Sequence, residues 1–186
     1  MTFPQLAKIS LDASQAHSPA LENYFVEFSI AQQHYVLPLA KIERILRMVA
    51  VTPLPEAPPW VAGMIDLSGR ATPVIDMRVR LGEAYQPPRL SDFLLVMDSV
   101  ALWVDTVHQI REITPGQIDE LPADLVNDRP FLAAIRFEDE LILLLDAGRL
   151  IAYSGQSALD WALPEFFEML EEAYPQDDSP QINDTG

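Results

Sequence analysis

Residues 59–82, PWVAGMIDLSGRATPVIDMRVRLG, constrain the fold more tightly than any other part of the chain. Val61, Met64, Ile65 and Leu67 approach a Ser68-Gly69 turn, and residues 72–77 leave it as a second apolar strand. Gly69 can take the positive φ that a tight hairpin turn requires, and Gly63 lets the backbone pass close to another element. Pro73 has no N–H to give to a ladder, so the second strand is expected to begin there or to lie at a sheet edge. The parts run in order: a helix-like entry, a strand, a turn, a strand and a short Arg-Val-Arg-Leu-Gly cap.

The rest of the chain repeats this idiom of short apolar strands and turns. Residues 24–30 (YFVEFSI) and 34–39 (HYVLPL) read as a hairpin about Gln32-Gln33. Residues 39–48 are open between helix and strand, because Ile42, Ile45, Leu46 and Val49 suit a helical face while their β-branched content suits a strand. Four prolines in residues 52–59 exclude regular structure there. Residues 91–97 and 101–104 pair about Asp98-Ser99, and the second strand reads as continuing through Val107 and Ile110 to Ile113. Thr114-Pro115 marks a helix or turn start, with loop over residues 116–130. Residues 131–137 and 141–145 flank Glu138-Asp139-Glu140 as a third hairpin, and Asp146 caps a short helix reaching Tyr153. About ten short strands with proline and glycine turns point to an all-β barrel architecture. A doubly wound α/β fold is excluded, since no long amphipathic helix separates the strands.

Charge and composition narrow the function. The formal net charge of −16 over 186 residues makes nucleic acid and anionic membrane surfaces poor partners. Zero cysteines exclude disulfides, thiolate metal sites and cysteine nucleophiles. No signal peptide and no apolar run of membrane-spanning length is read, so the expectation is a soluble cytoplasmic protein without membrane insertion. His17, His34 and His108 show no metal-ligand spacing and read as structural or exposed. The carboxylates at Asp119-Glu120 and at residues 138–140 fall in turns, where solvation accounts for them better than acid–base work. No phosphate-binding loop, dinucleotide fingerprint or nucleophile elbow occurs, so no enzyme, cofactor or metal is expected. Binding by surface shape remains.

After Arg149 the chain has no lysine or arginine and carries eight acidic residues. Trp161, Leu163, Phe166, Phe167, Met169 and Leu170 nevertheless give residues 164–174 an amphipathic helical pattern, with Pro164 in its first turn. Such a helix serves either as a strut on the body of the protein or as an acidic-aromatic peptide for a second partner.

The unit at residues 59–82 resembles the signature of the CheW-like adaptor domain of bacterial chemotaxis. There, an aromatic residue and a glycine precede an Asn-Leu-Arg-Gly turn, followed by Pro-x-x-Asp-Leu-Arg and a Leu-Gly ending. Trp60, Gly63, Leu67, Gly69, Pro73, Asp76, Arg78, Leu81 and Gly82 stand at the matching places. Asp66 replaces the asparagine and Ser68 the arginine. The resemblance spans about residues 22–153. It implies a mainly β fold of two small intertwined SH3-like β-barrels sharing a core, with short helices, and it favours a turn followed by a strand over residues 39–48. Residues 1–21 are then an N-terminal arm, and residues 154–186 an acidic C-terminal helix and tail.

The implied function is a non-catalytic adaptor coupling chemoreceptors, the methyl-accepting proteins, to a CheA-type histidine kinase, located at membrane-associated receptor arrays. The alternative is a scaffold or localisation protein of the same fold without direct receptor coupling. The resemblance assigns the partner surface to Ile42, Arg44, Gly63, Asp66 and Ser68, with Arg70 as a nearby guanidinium. Ile42 is either an apolar contact or core, and Gly63 serves either a partner's close approach or only a bend. The family commonly carries an acidic residue where Arg44 stands, so the surface is expected to have changed sign locally.

Overall fold

The computed structural model describes residues 21–97, 100–122, 126, 130–137, 140–153 and 156–157. A first hairpin joins β1 (Tyr24–Ile30) to β2 (Gln33–Pro38), and a 3-10 turn at Leu39–Lys41 leads into β3 (Arg44–Arg47). A second hairpin, β4 (Val61–Leu67) and β5 (Arg70–Asp76), runs into helix α1 (Met77–Arg80). Then come β6 (Phe93–Val96), β7 (Ala101–Val104), β8 (Thr106–Glu112), β9 (Ile118–Glu120), β10 (Phe131–Phe137), β11 (Glu140–Leu145) and α2 (Ala147–Ile151). The expected mainly β architecture with short helices is what the chain adopts. The turn at residues 98–99, most of the arm and the segment beyond residue 157 lie outside the described residues.

The strands form two mixed sheets, ordered β8-β1-β2-β11-β10-β9 and β3-β6-β7-β5-β4. Each holds one parallel pair, β2 with β11 and β5 with β7, among antiparallel neighbours. The six-stranded sheet gathers Phe25, Val36, Ile113, Ile135 and Ile142 on one face, and the five-stranded sheet gathers Met48, Ile65, Val74, Leu94 and Trp103. Six of the seven residues of β1 are buried, and so are all four of β7. Such runs have both faces covered, in contrast to the alternating burial of a strand with one wet face. Residues 151–186 form a separate unit, of which the described part pairs β12 (Ala152–Tyr153) with β13 (Gln156–Ser157).

Five expectations need correction. The first hairpin turns at Ala31-Gln32, with Gln33 already in β2. The helix after Asp146 ends at Ile151, and Ala152 and Tyr153 belong to β12. Residues 106–112 do not extend β7 within one sheet: Asp105 interrupts the strand, and β8 joins the other sheet beside β1. The stretch expected as loop contains β9, which pairs with β10 through Ile118, Asp119 and Glu120. Pro73 lies inside β5, and β5 is an interior strand. Its missing N–H costs nothing there. Met64, opposite Pro73, turns both its N–H and its carbonyl towards Thr52, and the ladder to β7 begins only at Val74.

The junction between the sheets is fixed by charge. Arg78 donates from Nε to Asp105 Oδ1 at 2.7 Å and from Nη2 to Asp105 Oδ2, while the Ala31 N–H donates to Oδ2 at 2.6 Å. The Asp105 N–H reaches the Ser29 carbonyl at 3.2 Å. Asp76 begins α1 by accepting the N–H groups of Arg78 and Val79 on Oδ1, which presents Arg78 to Asp105. The other oxygen of Asp76 is buried without a partner among the described residues, and burial raises its pKa against the lowering effect of the two capping bonds.

Candidate functional site

The tip of the β4–β5 hairpin is a two-residue loop, with Leu67 opposite Arg70. Ser68 and Gly69 take φ of +58° and +85°, the left-handed pair of a type I′ turn. Ser68 is strained there where glycine or asparagine would not be. Asp66 compensates by accepting the Gly69 N–H on Oδ1 at 2.6 Å, so the replacement of asparagine keeps an acceptor at this place. Arg70, leaving the turn, reaches Glu43 just before β3 at 3.5 Å. Both side chains are partly solvated, so this pair orients the tip more than it stabilises it.

Arg44 opens β3, an edge strand, and is exposed. Asp66, Ser68 and Arg70 are exposed as well. All four side chains are thus open to solvent. The other two residues assigned to this surface sit elsewhere. Ile42 precedes β3, outside the strand, and is 2% exposed, which places it in the core. Gly63 has φ +141°, and a Cβ on it would stand 2.1 Å from the Thr52 carbonyl oxygen. The close approach that Gly63 permits is therefore made by this chain's own loop. Thr52 and Met64 exchange backbone bonds of 2.9 and 2.8 Å, tying the chain beyond β3 to β4.

A second polar cluster, on the six-stranded sheet, was not legible as a unit. Glu27 is 1% exposed in the middle of β1. Its Oε1 pairs with His34 Nδ1 at 2.7 Å, and its Oε2 accepts from Gln109 Nε2 at 3.0 Å and from Arg111 Nε. Glu140 lies 3.4 Å from His34 Nδ1 and 3.5 Å from Arg111 Nη2. Burial alone would raise the Glu27 pKa, but the bonds from Arg111, His34 and Gln109 outweigh it and hold the pKa at about 2. So low a value makes Glu27 a poor proton acceptor at neutral pH. Glu27, His34 and Glu140 converge closely enough to hold a cation. Arg111 already supplies that positive charge, with its guanidinium bonded to both carboxylates and stacked 4.3 Å above the Phe137 ring. The one hint in the sequence was a glutamate inside an otherwise apolar strand.

Comparison with known proteins places this arrangement in a family. The model of the CheW-like domain matches residues 24–154. The chain is 27% identical over 128 residues to chemotaxis protein CheW of Rhizobium meliloti, covering 65% of this chain and 82% of that protein. It is 29% identical over 157 residues to protein FrzA of Myxococcus xanthus, covering 80% and 97%. The solved structure of scaffolding protein TtCheW from Thermoanaerobacter tengcongensis superposes with a TM-score of 0.67 at 25% identity, over 73% of this chain and 97% of that one. The family model takes in well over half of the chain, and the relatives and the solved fold agree with it: the chain belongs to the CheW-like domain family.

Proposed function

We propose that this protein is a non-catalytic adaptor that couples chemoreceptor tips to the regulatory domain of a CheA-type histidine kinase. The observation that carries the reading is the family match over residues 24–154, which takes in both sheets and the hairpin. The receptor-facing surface is the hairpin tip with the start of β3: Arg44, Asp66, Ser68 and Arg70 offer side chains, while Ile42 belongs to the core and Gly63 makes room for the Thr52 carbonyl. Strand edges and exposed tips of this kind suit docking of a helical or β partner. The test is binding of the purified chain to a receptor-tip fragment and to a CheA regulatory domain, separately and together. A ternary complex is expected, and Arg44→Glu should weaken receptor binding about tenfold while leaving kinase binding intact. Binding of neither partner, or unchanged receptor affinity in Arg44→Glu, refutes the assignment.

One observation favours a second reading. The last 37 residues hold eight acidic side chains and no basic one, beside the aromatic pattern of residues 161–170. A scaffold or localisation protein would dock through such a segment, and deletion of residues 154–186 would then abolish partner binding. Under the adaptor reading the same deletion leaves it untouched.

A further inference from the structure

The bulge in β8 is closed by two histidines. Glu27 pairs with Gln109 and Phe28 with Val107, so His108 is the extra residue that the β1–β8 ladder skips. Among the described residues β8 is an edge strand of its sheet, with β1 as its one neighbour. At the skipped position side chains replace the ladder. His108 Nε2 meets Ser29 Oγ at 2.9 Å, and the His108 ring stacks on His34 of β2 with centroids 4.6 Å apart and planes 12° apart. The stack thus spans β1 from β2 to β8.

Charge decides how many protons this stack carries. Among the described residues, the titratable and charged groups facing it are Glu27 of β1, Arg111 of β8 and Glu140 of β11, with Ser29 and Gln109 as neutral partners. Two carboxylates against one guanidinium leave a single negative charge. One proton on the histidine pair neutralises the cluster. A second proton makes it net positive, with two imidazolium rings face to face and every oxygen of Glu27 already engaged. We propose that the His34–His108 stack is a pH-operated latch on β8: it is closed with one proton or none, and the second proton separates the rings and loosens β8 from β1. Burial and the neighbouring His34 both lower the pKa of His108, in keeping with that order of events. Because β8 continues from β7 through Asp105, the latch sits on the strand that links the two sheets.

Amide hydrogen exchange of the full chain tests this at about pH 7.5 and about pH 4.5, the lower value standing well below the ordinary histidine range so that His108 is protonated, after correction for intrinsic exchange rates. Protection over residues 106–112 should fall about fivefold at the lower pH relative to β10 and β11, and His108→Gln should remove that fall. An unchanged protection ratio in the wild type, or an equal fall in His108→Gln, overturns the proposal. Ring titration by nuclear magnetic resonance supplies an independent reading without any variant. The His108 ring should titrate below the ordinary histidine range, and an ordinary value for it also overturns the proposal.

Discussion

Replacing Arg78 tests the account of the junction between the sheets directly. The Arg78 and Asp105 side chains are 10% and 16% exposed, and two charge-assisted hydrogen bonds join them, one to each carboxylate oxygen. In Arg78→Met the carboxylate keeps only the Ala31 N–H, in a place where water reaches it poorly. Breaking a buried pair from one side costs about 3 kcal/mol, because the surviving charge stays desolvated without its partner. Asp105→Asn should cost a similar amount, since it leaves the guanidinium stranded. The double variant removes both charges, and its loss should fall short of the sum of the singles by about 2 kcal/mol. Urea unfolding at neutral pH measures all three, provided that the slope of the transition is common to them. A loss under about 1 kcal/mol in Arg78→Met, or strict additivity in the double variant, would sink the claim that this pair locks the junction.

Gly63→Ala should be strongly destabilising, by about 3 kcal/mol or more, because the new Cβ would meet the Thr52 carbonyl at 2.1 Å and the backbone is left-handed. Thermal unfolding reads this out, and a variant as stable as wild type would show that the loop beyond β3 is not pinned to β4. Glu27 gives a pH signature. Its carboxyl binds a proton at about 2 in the folded chain against an ordinary 4.5, so its contribution is complete above pH 4.5 and is lost as pH falls towards 2. With an allowance for the solvated partners, that contribution is about 2 kcal/mol, and Glu27→Gln should lose it at neutral pH and flatten the acid limb of the stability curve. An acid limb of unchanged shape in the variant would reject the assignment.

The sequence announced the hairpins because their signals are local. Apolar runs flank each turn signal: β4–β5 turns at Ser68-Gly69 as expected, while β1–β2 turns at Ala31-Gln32, one residue before the expected Gln-Gln pair. Residues 39–48 stayed open to two readings because a 3-10 turn followed by a four-residue strand is too short to show either period. β9 was missed for a related reason: two of its three residues are acidic, so only its pairing with β10 makes it a strand. The change of sheet at Asp105 leaves no mark in the apolar pattern, since Val104 and Val107 are buried on either side of it. At the candidate surface, exposure was legible for Arg44 and the turn but not for Gly63, whose neighbour Thr52 is distant enough in sequence to be found only by folding. The same holds for Glu27, whose partners come from β2 and β8.

The matches and departures in the family signature sort by what each position does. Trp60, Asp76 and Arg78 are buried, and Gly63 and Gly69 hold backbone that a side chain would strain. Their requirement is set by this chain alone: a cap to start α1, a cation for Asp105, room for the Thr52 carbonyl. The departures, Asp66 and Ser68, lie on the exposed hairpin tip, and Arg44 is exposed at the start of an edge strand. Asp66 and Ser68 still serve the turn, but an exposed substitution such as that at Arg44 generally moves stability by less than about 0.5 kcal/mol, so the fold places little restraint on it. The signature therefore identifies the scaffold, and under the proposed adaptor function the exposed departures are the candidates for setting the partner. It also follows that reversing the charge at Arg44 should leave the unfolding midpoint where it is while changing what binds. That separation between stability and affinity is what a surface under selection by its partner, rather than by its own core, must show.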